Sequence, residues 1–285
     1  MNKLALLLSH ETVRLIDHSK ETTIFNRDNT PLSDFAVDDA IATAVGQHTV
    51  HPTVRFWVHS NVVVLGIIDG KLPHLEDGLQ YLRENHFHAV IRNSGGLAVL
   101  LNRGVLNMSI IIPGNQEVSI NDGYEMMLEL VQLLFSSYTD EIEAYEIVGS
   151  YCPGDYDLSI RGKKFAGISQ RRVRNGIAVQ IYIDIEGSSY ERASIVRDFY
   201  RCSKKDTETK MDYPEVNPHV MSSINELLDQ QFTVQEVIDD IRSILEEKGV
   251  QVEEGKLIEE EETIFQKRYE QMLKRNETIC VNSLL

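Results

Sequence analysis

The chain has 285 residues, of which 42% are hydrophobic, so it can bury the core of one large domain. Its 28 basic and 44 acidic residues give a formal net charge of -16, which opposes binding to nucleic acid. No apolar run approaches the ~18 residues of a membrane span, and the three cysteines form neither a disulfide framework nor a zinc motif. We therefore expect a cytoplasmic protein that binds neither nucleic acid nor membranes, with Cys202 and Cys280 as inert thiols.

The first half of the chain predicts three helices with strands between them. The segment DFAVDDAIATAV spaces its apolar residues as one face of a helix, which Ser33 would cap and which would end near Gly46. We expect further helices over residues 75–85 and from Asn121 to about Ser137. Strands are predicted in the segments TVRFWVHS, NVVVLGI, HAVIR, LAVLL and VLNMSIII.

A meander of three strands is predicted after the middle of the chain. The strands YDLSI, KKFAGISQRRV and IAVQIYIDI are joined by the pairs Arg161-Gly162 and Asn175-Gly176, and Asn-Gly is a strong signal for a tight hairpin. Strands and helices mix without a regular alternation of one strand and one helix. The expected fold class is therefore α+β, with a mostly antiparallel mixed sheet flanked by helices.

The pattern becomes helical after residue 189. Thr233 and Glu236 form a capping box before an amphipathic segment that ends at Gly249. The acidic block 259–262 opens a last helix, and we expect this block to face solvent, because charge runs usually do so.

Two segments carry candidate chemistry, and the first is the loop in IRNSGGLAVLL. Gly95 and Gly96 stand between two apolar strands, where they allow unusual backbone conformations and let a ligand approach the main chain closely. Arg92, just before them, suggests a contact with a carboxylate or a phosphate. An ordinary tight connection explains the two glycines equally well.

The second segment is GSYCPGDYD, which contains Cys152. A thiol attacks as its thiolate, and the ammonium of a nearby lysine favours that charged form; Lys164 in the following hairpin is the candidate. Strict alternation would put Lys164 on the same face of its strand as Ala166 and Ile168. By spacing alone, a structural cysteine beside a turn is the favoured interpretation.

Five motifs together resemble the lipoate ligase and octanoyltransferase superfamily, over residues 30 to 200. They are RFW, VVVLG, RNSGGLAV, GVLN and GKKFAGISQ, in that order along the chain. The resemblance implies the fold of the biotin and lipoate protein ligase catalytic domains. It also implies that residues 1–200 form an acyltransferase catalytic domain, on which residues 201–285 pack as a helical extension.

The chain departs from the ligase motif at three positions. Ile91, Leu97 and Leu101 stand where the ligases usually have an arginine, a glycine and a histidine, which puts handling of an adenylate in doubt. The segment SYCPGDYDLSI is instead similar to the amidotransferase branch, whose members use a cysteine nucleophile upstream of the family lysine. The resemblance implies catalytic roles for Cys152 and Lys164 and substrate contacts at Arg92, Ser94, Gly95, Gly96, Leu97, Val99 and Asn107.

The activity that this resemblance implies is acyl transfer between protein lysines. An octanoyl or lipoyl group would pass from the glycine cleavage H protein to E2 lipoyl domains through a thioester on Cys152, with no ATP, metal or other cofactor. Three alternatives stay open: an octanoyltransferase that takes its acyl group from acyl carrier protein, a lipoate-adenylating ligase, and a non-enzymatic binding module. The donor protein, the need for ATP and the need for Cys152 distinguish them.

Overall fold

The computed structural model describes residues 2–114 and 118–280, without the side chains of residues 278 and 280. Within these ranges it has eight α-helices and thirteen strands. The helices are α1 (Ala5–Leu8), α2 (Pro31–Gly46), α3 (Leu75–Glu84), α4 (Ile120–Leu134), α5 (Ser189–Lys204), α6 (Ile224–Leu228), α7 (Val234–Glu247) and α8 (Glu259–Cys280). The strands are β1 (Thr12–His18), β2 (Thr23–Ile24), β3 (Arg27–Asp28), β4 (Thr53–Trp57), β5 (Val62–Leu65), β6 (His88–Ile91), β7 (Val99–Leu101), β8 (Val105–Pro113), β9 (Ile142–Ala144), β10 (Asp157–Ile160), β11 (Lys163–Val173), β12 (Gly176–Asp184) and β13 (Gln251–Glu254).

The main sheet contains eight strands in the order β13-β1-β4-β8-β12-β11-β10-β9. Two of its neighbouring pairs, β13 with β1 and β1 with β4, are parallel, and the other pairs are antiparallel. A smaller sheet of three strands has the order β6-β5-β7. The predicted α+β fold, with a mostly antiparallel mixed sheet flanked by helices, is confirmed.

Helices cover both faces of the main sheet. On one face, α4 and α7 pack on β4 and β8 through a buried cluster that includes Phe56, Met108, Leu130 and Ile241. On the other face, α2 and α8 pack together against the sheet. The small sheet forms a third buried cluster with α3 and α5. Strands β5 and β7 of the small sheet thereby face β8, β11 and β12 of the main sheet across a pocket.

The predicted meander is present as β10, β11 and β12. Arg161 and Gly162 have positive φ angles of 52° and 75°, as a tight two-residue hairpin turn requires. At the second turn, Val173 pairs with Gly176, so Arg174 and Asn175 form the turn. The prediction of an Asn175-Gly176 turn is therefore displaced by one residue.

A β-bulge changes the alternation along β11. The register of β10 on β11 shifts by one residue, which leaves Phe165 as the extra residue of β11. Phe165 and Ala166 are therefore both buried in the main core, and Lys164 lies beside Gly167 instead. The predicted shared face for Lys164, Ala166 and Ile168 is wrong for this reason.

The cap of α2 also differs from the sequence prediction. Thr30 caps this helix, and it forms a reciprocal capping box with Ser33, which lies inside the first turn. Pro31 occupies the first helical position. A main-chain N–H at this position makes no hydrogen bond within the helix, so the lack of one in proline has no cost. The helix therefore begins before the predicted cap at Ser33.

The C-terminal part of the chain is not purely helical. The capping box of α7 forms as predicted, but β13 follows α7 and pairs with β1 at the edge of the main sheet. In the acidic block, Glu261 is fully buried and bonds to Arg14 at 2.5 Å, so the prediction that the whole block faces solvent is wrong. The predicted boundary at residue 200 falls inside α5; the division of the chain into 1–200 and 201–285 stays a prediction.

Candidate active site

A pocket of about 350 Å³ opens between the two sheets, within the ~300–1,000 Å³ range of small-ligand sites. Asn107, Gln180 and His59 contribute polar groups to its wall. Most of the remaining wall is apolar, so the pocket suits a ligand with a hydrocarbon chain. The apolar side chains include Phe35, Trp57, Val64, Val99, Leu101 and Ile181.

Cys152 lies in the wall of this pocket and is half-buried. Its φ angle of 46° is in the left-handed region, which non-glycine residues adopt mainly where the surrounding structure imposes it. Its Sγ accepts hydrogen bonds from the main-chain N–H of Leu97 at 3.2 Å and from Nη2 of Arg92 at 3.5 Å.

The Arg92 side chain holds the loop that carries these donors. Its Nε donates to the carbonyl of Gly95 at 3.0 Å, and its Nη2 donates to the carbonyl of Leu97 at 2.9 Å. Gly96 has a φ angle of 95°, and a β-carbon there would overlap the Arg92 guanidinium and lie 3.1 Å from Cys152 Sγ. The loop can take this path only because residue 96 is glycine.

Lys164 lies beneath the cysteine turn and is fully buried. Its Nζ donates to the carbonyls of Tyr151 at 3.0 Å and Cys152 at 2.9 Å. It also bonds to Asp157 at 2.7 Å and to Ser150 at 3.3 Å. Burial raises the pKa of Asp157, and the adjacent Lys164 ammonium opposes that rise. The ion pair with Asp157 holds the Lys164 ammonium in place. The hydrogen bonds from this ammonium to the Tyr151 and Cys152 carbonyls then hold the backbone at Cys152.

A second polar network supports the other end of the loop, and it was not predicted. The Ala98 N–H donates to the hydroxyl of Tyr200 at 3.0 Å, and this hydroxyl donates to Asp69 at 2.9 Å. Asp69 also accepts from the Gly66 N–H at 2.7 Å. Burial raises the pKa of Asp69 to about 6, against the opposing effect of these hydrogen bonds. No motif or spacing links Asp69 to Tyr200 in the sequence.

The structure brings most of the predicted site residues together. Leu97 is different, because it supplies its N–H to Cys152 while its side chain packs against the cluster of the small sheet. Lys164 does not line the pocket, and its Nζ donates to the main-chain carbonyl of Cys152. The predicted residues that line the pocket are Arg92, Ser94, Gly95, Gly96, Val99, Asn107 and Cys152.

Other features of the described residues bear on the site. Burial lowers the pKa of His59 to about 3, and its Nε2 accepts a hydrogen bond from the Trp57 indole, so this pocket histidine is neutral.

Over residues 2–114 and 118–280, no group of three or more His, Cys, Asp or Glu side chains is placed to hold a metal ion. No helix in the same ranges has the length and apolar character needed to cross a membrane. Burial raises the pKa of the Cys202 thiol; the side chain of Cys280 lies outside the described residues.

Solved structures with the same fold include lipoate protein ligases. A lipoate-protein ligase A bound with ATP superposes with a TM-score of 0.67 at 16% identity, over 92% of this chain and 95% of that chain. A bi-partite lipoate protein ligase from Thermoplasma acidophilum, studied with its E2 lipoyl domain, gives a TM-score of 0.63 at 18% identity, over 92% of both chains. At these identities the likeness establishes the fold and not the activity.

Sequence comparisons are more specific. The family model of the lipoyl protein ligase A/B catalytic domain matches residues 30–246. A protein from Oceanobacillus iheyensis named octanoyl-[GcvH]:protein N-octanoyltransferase is 53% identical over 95% of this chain and 98% of its own length. A protein of the same name from Lysinibacillus sphaericus is 47% identical over 90% of this chain and 92% of its own. The chain therefore belongs to the lipoyl protein ligase A/B catalytic-domain family and, within it, to the group of the octanoyl-[GcvH]:protein N-octanoyltransferases, as the sequence motifs indicated.

Proposed function

We propose that this chain is an acyltransferase that moves an octanoyl group between protein lysines through a thioester on Cys152. The donor is the octanoyl-lysine of the glycine cleavage H protein, and the acceptor is the lysine of an E2 lipoyl domain. The observation that carries the proposal is the position of Cys152 Sγ, which lies at an apolar pocket and faces two hydrogen-bond donors. The names of the close relatives support the same donor.

In the first step, the Cys152 thiolate attacks the carbonyl carbon of the octanoyl-lysine amide. The new C–S bond forms, the amide C–N bond breaks, and the lysine nitrogen leaves as an amine after taking up the proton that the thiol lost. In the second step, the acceptor lysine amine attacks the thioester, loses a proton, and expels the thiolate. Covalent catalysis thereby divides one difficult exchange into two easier ones, and no nucleotide is consumed.

The donors around Sγ suit the transition states of both steps. Each attack puts negative charge on the carbonyl oxygen, which needs preorganised N–H groups nearby. The Leu97 N–H and the Arg92 guanidinium donate to Sγ, so we propose that the carbonyl that Sγ attacks would stand beside them. The main-chain N–H groups at Gly95 and Gly96 are further candidates for the oxyanion, because both glycines are exposed to the pocket.

The octanoyl chain would occupy the apolar part of the pocket. Each buried methylene contributes about 0.8 kcal/mol, so the whole chain would supply several kcal/mol for positioning the reacting carbonyl. Val99 and Leu101 line this part, together with Trp57 and Val64. The same space could take a lipoyl group, which has an eight-carbon chain as well.

Lys164 has two proposed roles. Its contacts with the Cys152 and Tyr151 carbonyls hold the cysteine in its left-handed conformation, with the thiol in the pocket wall. Its positive charge close to Cys152 also favours the thiolate. We further propose that the enzyme acts in the cytoplasm and that residues 201–285 extend a catalytic domain formed by residues 1–200.

The decisive experiment is intact-protein mass spectrometry after mixing the chain with octanoylated H protein in the absence of ATP. The wild type should gain one octanoyl group, which hydroxylamine removes, and Cys152→Ala should gain none. Cys202→Ala is the matched control, because it removes a half-buried free thiol on α5 and should leave the adduct unchanged. Addition of an E2 lipoyl domain should transfer the group to that domain.

Other outcomes would assign a different function. An adduct from octanoyl acyl carrier protein, and none from H protein, would identify an acyl-carrier-protein-dependent octanoyltransferase. Transfer that appears only with lipoate and ATP, and survives Cys152→Ala, would identify a ligase and make Cys152 structural.

A further inference from the structure

The C-terminal helix reaches the loop of the candidate active site. Helix α8 lies beyond residues 30–246, the range that the family model matches. Its residue Asn276 is fully buried against β6, the outer strand of the small sheet. The Asn276 Oδ1 accepts from the Ile91 N–H at 2.6 Å, and Nδ2 donates to the Ile91 carbonyl at 2.9 Å. The side-chain amide of Asn276 therefore makes the two hydrogen bonds to Ile91 that the main chain of a further strand would make at this edge.

The contact is specific in position and direction. Nδ2 of Asn276 also donates to the Met272 carbonyl of its own helix at 2.9 Å, which fixes the orientation of the amide. Ile91 would otherwise have a buried N–H and a buried carbonyl without partners, which native structures rarely tolerate. The amide of Asn276 thus binds both main-chain polar groups of Ile91, the last residue of β6.

The loop that carries the two donors to the thiol begins directly after β6. Arg92 follows Ile91 directly; its N–H donates to Leu65 at 3.0 Å, and its carbonyl accepts from Arg275 of α8 at 3.3 Å. With the main chain held on both sides, the Arg92 guanidinium reaches Cys152 Sγ and the carbonyl of Leu97. Leu97 lies five positions after Arg92, and the arginine side chain spans this loop.

We propose that Asn276 is a positioning residue for acyl transfer, which rests on the proposed role of Cys152. Asn276 holds Ile91 so that the Arg92 guanidinium and the Leu97 N–H face the thiol. It touches neither the pocket nor Cys152, and it acts through Arg92. The C-terminal helix is on this account part of the active-site framework.

The test measures Cys152 itself and needs no acyl donor. The variant Asn276→Leu keeps the branching and the number of heavy atoms of the side chain and removes both bonds to Ile91. Its Cys152 is alkylated with iodoacetamide over a range of pH, and the modified peptide is quantified by mass spectrometry. We expect alkylation at each pH to change in rate by about tenfold relative to wild type, the effect of losing one hydrogen bond from a charged donor to the sulfur. The acyl-enzyme should also form about tenfold more slowly in Asn276→Leu.

The chain offers a matched control in Asn225. Its side chain makes the same pair of bonds, from Nδ2 to the Phe232 carbonyl and from the Phe232 N–H to Oδ1, both at 2.9 Å. Phe232 packs against the core cluster on the other face of the main sheet and does not line the pocket. Asn225→Leu should lower the Tm and leave the alkylation profile unchanged.

An alkylation profile of Asn276→Leu that matches wild type would overturn the proposal, even if the Tm falls. If Asn276→Leu does not fold, Asn276→Ala is scored in the same way. Failure of both to fold, when Asn225→Leu folds, also overturns it, because Asn276 would then serve the whole fold. A shifted profile in an enzyme that forms no thioester would support the positioning and refute the proposed function alone.

Discussion

The ammonium of Lys164 donates to the main-chain carbonyl of Cys152 at 2.9 Å, so the cationic residue acts on the backbone of the proposed nucleophile. Among the described residues, the hydrogen bonds to Sγ come from Arg92 and Leu97. The two cationic side chains therefore contact different parts of Cys152. Arg92 faces the sulfur, and Lys164 holds the turn that presents it.

Lys164→Met should reduce both stability and acyl-enzyme formation. It leaves the Asp157 carboxylate buried without its partner, which costs roughly 3–5 kcal/mol of unfolding free energy. Loss of the contacts at Cys152 should slow thioester formation by about 100-fold or more. Urea unfolding and time-resolved mass spectrometry measure the two effects. Lys163→Met is the control. Lys163 is the exposed neighbour of Lys164, so its replacement should have neither effect.

A double variant separates the two effects of Lys164. In Lys164→Met/Asp157→Asn, the unpaired charge is gone, and the amide oxygen can still accept from the Ile147 N–H, which now bonds to Asp157 at 3.1 Å. Stability should recover in part, while thioester formation stays slow. If the double variant regains wild-type activity, Lys164 has no role at the cysteine beyond neutralising Asp157.

Gly96→Ala should disable the donors to Cys152. The added methyl group would overlap the Arg92 guanidinium and would sit in a φ region that favours glycine. We expect thioester formation to fall by about tenfold or more, because a charged donor to the thiolate is displaced. Gly95→Ala is the neighbouring control, since no atom lies within 4 Å of its β-carbon position. Equal rates for the two variants would contradict this account of the loop.

Val99→Phe should shorten the acyl chain that the enzyme accepts. Val99 lines the pocket, whereas the Leu97 side chain packs against the cluster of the small sheet. Transfer of octanoyl should fall by about tenfold relative to butanoyl in Val99→Phe, because each lost methylene contact costs up to a few kcal/mol. Leu97→Phe should keep the wild-type profile. A shortened profile in Leu97→Phe would restore the predicted contact of Leu97 with the acyl chain.

Local signals and motifs predicted much of the fold and part of the site. The turn at Arg161-Gly162 and the capping box at Thr233 follow from residues that are adjacent in the chain. The motif resemblance brought the glycine loop and Cys152 together. In contrast, the bulge at Phe165 depends on the register of two strands, which alternation alone does not reveal.

Long-range polar contacts were the part that sequence could not supply. Tyr200 bonds to a loop residue 102 positions away, and Asn276 bonds to a strand residue 185 positions away. Glu261 pairs with Arg14, which lies 247 positions away in the chain. From the sequence, Glu261 was predicted to belong to a solvent-exposed acidic run. Each pair forms because packing leaves one buried polar group beside another. Neither residue of a pair carries a local pattern that points to its partner.

The pH dependence of stability should reveal the buried carboxyl of Asp69. Burial raises its pKa from 3.8 to about 6 in the folded chain, so between these values the folded state binds more protons than the unfolded state. The contribution of Asp69 to stability is therefore fully present below its unfolded pKa and is lost as the pH rises through about 6. The loss is up to about 3 kcal/mol, at about 1.4 kcal/mol for each unit of pKa shift.

Asp69→Asn provides the comparison, because the amide keeps the size of the side chain and does not titrate. Its oxygen can accept from the Gly66 N–H, and Tyr200 can accept from its NH₂ group, so the support of the loop near Ala98 is largely retained. Urea unfolding at several pH values gives the difference in unfolding free energy between wild type and variant. We expect wild type to lose stability relative to Asp69→Asn between about pH 4 and pH 7. A constant difference over this range would mean that Asp69 ionises normally in the folded chain and that burial does not control its charge.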